Sequence, residues 1–115
     1  MFSVKGTKIE LVRGDTLILS LSIKQNGENY IPQQGDVIRF ALKRAAMNGD
    51  KTAYLDEEPL IETIIPNDTL ILRLESEDTA NLLFGKYAYE ISIEMANGIV
   101  DTFISDVLVI KPEID

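Results

Sequence analysis

The chain has 115 residues, with 11 basic and 19 acidic side chains, no cysteine and no histidine, for a formal net charge of -8. That length fits a single domain, residues 1–115, with one ordinary core, and 45% hydrophobic against 26% charged residues reads as globular rather than disordered. Missing cysteine and histidine exclude a disulfide scaffold, thiolate and imidazole metal sites, cysteine nucleophiles and histidine-based triads, and the acidic balance disfavours a nucleic-acid partner.

The start, Met1-Phe2-Ser3-Val4-Lys5-Gly6, has no basic stretch followed by an apolar run, so no secretory signal is expected. No run approaches the ~20 apolar residues of a spanning helix, so no membrane partner is expected and synthesis in a cytoplasm is. Residues 8–13 form the first strand candidate. Arg13-Gly14-Asp15 follows, and its glycine bends the chain between two strand patterns. The tripeptide is also a receptor-binding spelling, but that role needs a projecting loop.

Residues 17–23 place Leu17, Leu19, Leu21 and Ile23 on one face, and residues 37–43 place Ile38, Phe40 and Leu42 on one face with Arg39 and Lys43 opposite. Such period-2 alternation marks a strand with one buried side. Asn26-Gly27 and Asn48-Gly49 mark turns. Residues 44–59 read as a long exposed loop. Asp56-Glu57-Glu58, with Asp50 nearby, offers oxygen ligands for calcium, yet lacks the ligand spacing and tight glycine of a calcium loop. A solvated acidic loop is the plainer reading. Tyr30 and Tyr54 are the aromatic residues in loop-like segments.

Residues 60–65 and 69–75 are further strands, separated by Pro66-Asn67-Asp68; Leu70, Leu72 and Leu74 share a face. Asn67-Asp68-Thr69 matches a glycosylation pattern and, with no secretory signal expected, reads as a chance match. Ser76 is positioned to cap a short helix that Gly85 would end. Residues 87–95 alternate Tyr87, Tyr89, Ile91, Ile93 and Met95 against Ala88, Glu90, Ser92 and Glu94. Asn97-Gly98 then signals a two-residue hairpin into a strand at 99–110.

Two details go beyond strand counting. Leu82-x-x-Gly85-x-Tyr87 has the spacing of a tyrosine corner, where a Tyr near the start of a late strand returns its hydroxyl to upstream backbone. That role is structural. In strand 99–110, Val100, Ile104, Leu108 and Ile110 are expected toward the core and Phe103, Val107 and Val109 outward. A one-sided antiparallel strand is not apolar on both faces. Either a bulge shifts the register, or Phe103, Val107 and Val109 form a protein interface. Together these readings predict an all-β, immunoglobulin-like antiparallel sandwich of about seven strands with one short helical crossover. Leu19, Leu21, Phe40, Leu72, Tyr89 and Ile91 are its expected interior. Charge divides unevenly: residues 1–51 hold eight bases and five acids, residues 52–115 three bases and fourteen acids. Surfaces of opposite sign would favour head-to-tail packing.

Leu11-Val12-Arg13-Gly14-Asp15-Thr16 before an alternating strand resembles the opening of small immunoglobulin-like domains of tailed phages and prophages. The stretch Thr79-Ala80-Asn81-Leu82-Leu83-Phe84-Gly85-Lys86-Tyr87-Ala88-Tyr89-Glu90-Ile91 is similar to their T-x-x-L-x-x-G-x-Y-x-Y-D-I region. Asp106-Val107-Leu108-Val109-Ile110-Lys111-Pro112 resembles their closing G-x-L-x-V-x-P strand, with Asp106 where glycine is common. The nearest family by this resemblance is the N-terminal domain of phage baseplate upper proteins, over roughly residues 8–112. The resemblance implies a non-catalytic virion component of a tail, baseplate or capsid, assembled in the bacterial cytoplasm. It implies contacts with other virion proteins or with itself, and no cofactor and no metal. A free-standing bacterial binding module for a carbohydrate or cell-surface ligand is the alternative.

Overall fold

A computed structural model describes residues 2–5, 8–25, 27–44 and 59–112. Asn26, the Asn48-Gly49 turn, Tyr54 and the acidic stretch with Asp50 and Asp56-Glu57-Glu58 lie outside the described residues. The described chain is all-β with one short helix. Its elements are β1 (Phe2–Lys5), β2 (Lys8–Val12), β3 (Leu17–Ser20), β4 (Lys24–Gln25), β5 (Glu28–Asn29), β6 (Val37–Arg44), β7 (Ile61–Ile65), β8 (Ile71–Leu74), α1 (Ser76–Thr79), β9 (Gly85–Glu94) and β10 (Val100–Lys111). Each of the seven expected strands has a counterpart. The additional ones, β1, β4 and β5, are short and carried no alternating pattern to announce them.

Six strands form one sheet in the order β1-β2-β10-β9-β6-β7, while β3 pairs with β8 and β4 with β5. The expected antiparallel arrangement holds except at one place. β2 and β10 pair in parallel, with Ile9 opposite Leu108 and Leu11 opposite Ile110. Parallel neighbours need a long connection. Here the connection is nearly the whole domain, because the pair joins the start of the chain to its end.

The alternating rows fill one core. Ile38, Phe40 and Leu42 of β6 and Tyr87, Tyr89, Ile91 and Ile93 of β9 are buried. They pack in one cluster with Ile9, Leu11, Leu108 and Ile110, and with Leu17, Leu72 and Leu74 from the β3–β8 pair. The Phe40 and Tyr89 rings stack with centroids 5.7 Å apart. Outside, Arg39 pairs with Glu94 at 3.5 Å and Lys43 with Glu90 at 3.3 Å, tying β6 to β9. The exposed Arg39–Glu94 pair contributes up to about 1 kcal/mol, while the Lys43–Glu90 pair is half-buried.

Three expectations need correction. First, Leu19 and Leu21 are half-buried against the core, not inside it, while Leu17 and Ile23 are buried. β3 stops at Ser20 because its partner β8 begins only at Ile71. Leu70 has φ +54 in the turn that its amide closes onto the Pro66 carbonyl at 2.9 Å. A leucine in the left-handed region turns the chain out of the strand, and the pairing closes with the Leu21 amide donating to the Leu70 carbonyl at 2.8 Å. Second, the cap of α1 is Glu75 rather than Ser76, its amide donating to Asp78 Oδ2 at 2.8 Å. The helix still carries the chain from the small sheet to the large one. Third, the β9–β10 loop has three residues, Ala96 to Gly98, between a Met95 amide that donates to the Ile99 carbonyl at 2.8 Å and a Gly98 with φ +90. That is the form in which a turn is followed by one left-handed residue.

A bulge between Thr102 and Ile104 breaks the register of β10 against β9. Before it Val100 lies opposite Glu94 on the outer face; after it Ile104 lies opposite Ile91 on the inner face. Val100, expected inside, is therefore exposed, and Phe103, expected outside, packs against the core. The extra residue absorbs one step of the two-residue period.

Phe40→Ala should lose about 3–5 kcal/mol of unfolding free energy, the usual range for a buried aromatic. Ile64→Ala, exposed on the outer face of β7, should stay within about 0.5 kcal/mol. Urea unfolding midpoints of the two variants check the assignment of faces.

Candidate functional site

The two ends of the molecule are built differently. At the end where β9 runs into β10, Asp36 ties three segments together. Its Oδ2 accepts from the Tyr30 hydroxyl at 2.5 Å and the Gln33 amide at 2.8 Å, and its Oδ1 from the Ala96 amide at 3.3 Å. The Asn67 side-chain amide donates to the Asp36 carbonyl at 2.7 Å. Tyr30, followed by Gln33 and then Ala96, holds the Asp36 carboxyl below its ordinary value, outweighing the opposite push from burial. The same contact, led by its hydrogen bond, raises the Tyr30 phenol. This end is a hydrogen-bonded clamp on loops.

At the other end the tyrosine corner is formed. The Tyr87 hydroxyl donates to the Leu83 carbonyl at 2.7 Å. Gly85 sits at φ +133, a conformation that L side chains rarely adopt, although a Cβ there would meet nothing within 4 Å. Backbone conformation, not crowding, is what asks for glycine. Leu82 turns inward onto the core. Leu83 and Phe84 are then forced out, at 79% and 50% exposure. The Arg13 guanidinium lies 4.3 Å from the Phe84 ring centre, a cation–π contact worth about 0.5–1 kcal/mol at an exposed site.

Beside this ledge runs an open groove of about 370 Å³, whose lining includes Leu60, Leu83, Phe84 and Tyr87. Among the described residues its charged lining consists of Arg44 and Lys86, both cationic. Apolar floor and cationic walls suit an apolar segment carrying an acid.

The structure distributes the other predicted residues as follows. Arg13-Gly14-Asp15 is a pinned turn: the Gly14 amide donates to Thr79 Oγ1 and the Asp15 amide to the Val12 carbonyl, both at 3.0 Å. Tyr30 and Asn67 are committed to the Asp36 clamp. The trio Phe103, Val107 and Val109 is split by the bulge. Phe103 faces the core side, while Val107 and Val109 remain on the outer face, half-buried opposite Ala88 and Lys86. Among the described residues no group of three or more acidic side chains is placed to hold a metal, and no helix is long and apolar enough to cross a membrane. No protein-family model, curated protein or solved structure matches the chain.

Leu60, Leu83, Phe84, Arg44 and Lys86 were not singled out from sequence. One signal was available: three consecutive apolar residues, Leu82-Leu83-Phe84, in a link too short to bury all three.

Tyr87→Phe should lower stability by roughly 0.5–1.5 kcal/mol, the net worth of one hydrogen bond, read as a lower denaturation midpoint. The Asp36 contribution has a definite sign. A carboxyl whose folded value lies below its ordinary 3.8 stabilises fully above that ordinary value, and loses the gain as pH falls through the folded one. The stability gap between wild type and Asp36→Asn should thus be largest near neutrality and close in strong acid. Paired urea titrations across that range measure it; a gap unchanged by acid would contradict the clamp.

Proposed function

We propose that the chain is a non-catalytic, immunoglobulin-like structural module of a tailed-phage or prophage virion, assembled in the bacterial cytoplasm and acting through protein–protein contacts. The observation that carries the reading is the exposed Leu83–Phe84 ledge with its cationic groove, held rigid by the Tyr87 corner beneath it. A rigid apolar surface rimmed by charge is what protein association uses, because little ordering cost offsets the burial.

The immunoglobulin-like part is supported by the strand arrangement. β10, β9 and β6 lie side by side with β7 beyond them, and β3 and β8 pair in a second sheet that shares the core. This is the neighbour pattern of such sandwiches, whose tyrosine corner also falls near the start of the strand in β9's place. The resemblance in residues 79–91 spans that corner. The alternative, a carbohydrate-binding module, draws no support from Tyr30, whose hydroxyl is committed to Asp36.

The test is incorporation. In particles purified from producing cells the wild-type chain should be present, and a Leu83→Asp, Phe84→Asp variant should be missing. The variant should keep its stability within about 1 kcal/mol, since it gives up only exposed apolar surface and one cation–π contact. A wild-type chain absent from particles would overturn the virion reading. Selective retention on a glycan array would replace it with the alternative.

A further inference from the structure

The hairpin tip at the far end carries its own exposed apolar pair. Ile99 is 56% exposed and Val100 62%, and exposed Asp101 follows them. The tip is pre-ordered. The Met95 and Gly98 bonds close its loop, Asn97 Oδ1 accepts from the Ile99 amide at 3.1 Å, and the Asp36 clamp holds Ala96. Groove and tip stand at opposite ends of β9, since Lys86 and Tyr87 begin the strand and Glu94 ends it. At about 3.3 Å per residue they are separated by roughly 30 Å, so a tip cannot reach the groove of its own chain.

We propose that the groove of one copy takes the hairpin tip of a second copy, so that the chain associates head to tail. This rests on the reading of the groove as a protein-contact surface and names its partner. Charge selects the pairing. Among the described residues the groove lining offers Arg44 and Lys86, and the tip offers Asp101, which shares a small pocket with Lys24 of β4; none of Arg44, Lys86 and Asp101 is in an ion pair with another described residue. Groove against groove would oppose cations, and tip against tip would leave the groove cations without an acid. Only the heterologous contact matches apolar to apolar and cation to acid. Because the two patches differ, each bound copy still presents a free groove at one end and a free tip at the other. Association therefore continues beyond a dimer unless a ring closes.

Sedimentation velocity of the full chain tests this. Wild type should grow in size with concentration between about 10 μM and 1 mM, the range of a small, weak contact. The groove variant, Leu83→Asp with Phe84→Asp, and a tip variant, Ile99→Asp with Val100→Asp, should each be monomeric, with circular dichroism confirming the fold. Their equimolar mixture should give a one-to-one dimer and nothing larger, because one intact tip then meets one intact groove. A wild type that stays monomeric overturns the proposal, as does a mixture that forms no dimer. If wild type is monomeric while the groove variant is still lost from particles, self-association fails and the groove serves a different virion protein.

Discussion

The inward row of β9 is the constraint on which the rest of the molecule depends. β9 is paired along both edges, to β10 and to β6, so its register sets theirs. Tyr87, Tyr89, Ile91 and Ile93 alternate strictly inward, and a slip of one residue would turn all four to solvent. The Phe40–Tyr89 stack and the outer Arg39–Glu94 and Lys43–Glu90 pairs fix the same register from both faces. The small β3–β8 pair then needs only Leu17, Leu72 and Leu74 to join the core that this row begins.

The ends of β9 carry the two specialised regions, and each is made rigid by a hydroxyl from a tyrosine. Tyr87 anchors the Leu83 carbonyl at one end; Tyr30 anchors Asp36 at the other. In both places the tyrosine is buried or half-buried, and its polar tip satisfies a group that the bend of the chain would leave unpaired. The consequences differ. The corner leaves Leu83 and Phe84 outward as an exposed apolar ledge. The clamp removes Asp36 from solvent and orders a hairpin whose Ile99 and Val100 stay exposed. Rigidity at both ends is what the proposed role in assembly calls for, because the proposed contact surfaces then exist before any partner arrives.

Apolar character on both sides of strand 99–110 had two readings, and the bulge accounts for much of it. One additional residue at Phe103 lets both Phe103 and Ile104 approach the core. What remains outside, Val107 and Val109, is shared with neighbouring strands rather than displayed as a patch. Val109 lies between Lys86 of β9 and Glu10 of β2, whose aliphatic stems are placed to shield it. Among the described residues Leu83, Phe84, Ile99 and Val100 are exposed near the two ends of β9, and Ile18, Ile64 and Ile71 on the outer faces of β3, β7 and β8.

Local pattern was enough for seven of the described strands, the inward rows of β6 and β9, the crossover helix and the Leu82, Gly85 and Tyr87 corner, because each depends on residues within a few positions of one another. The parallel closure of β2 on β10, the early end of β3 and the bulge at Phe103 depend on partners far away in the chain. No periodicity within a strand reports where its neighbour begins or runs out. The groove was hidden for the same reason. Arg44 ends β6, Leu60 precedes β7, and Leu83 and Phe84 lie in the link before β9; they meet only because the sheet brings those strand ends together. By itself the sequence determined an all-β chain with a defined inner face. The folded structure decided which apolar residues the inner face could not take, since burial at each position is settled by the partner strand opposite it.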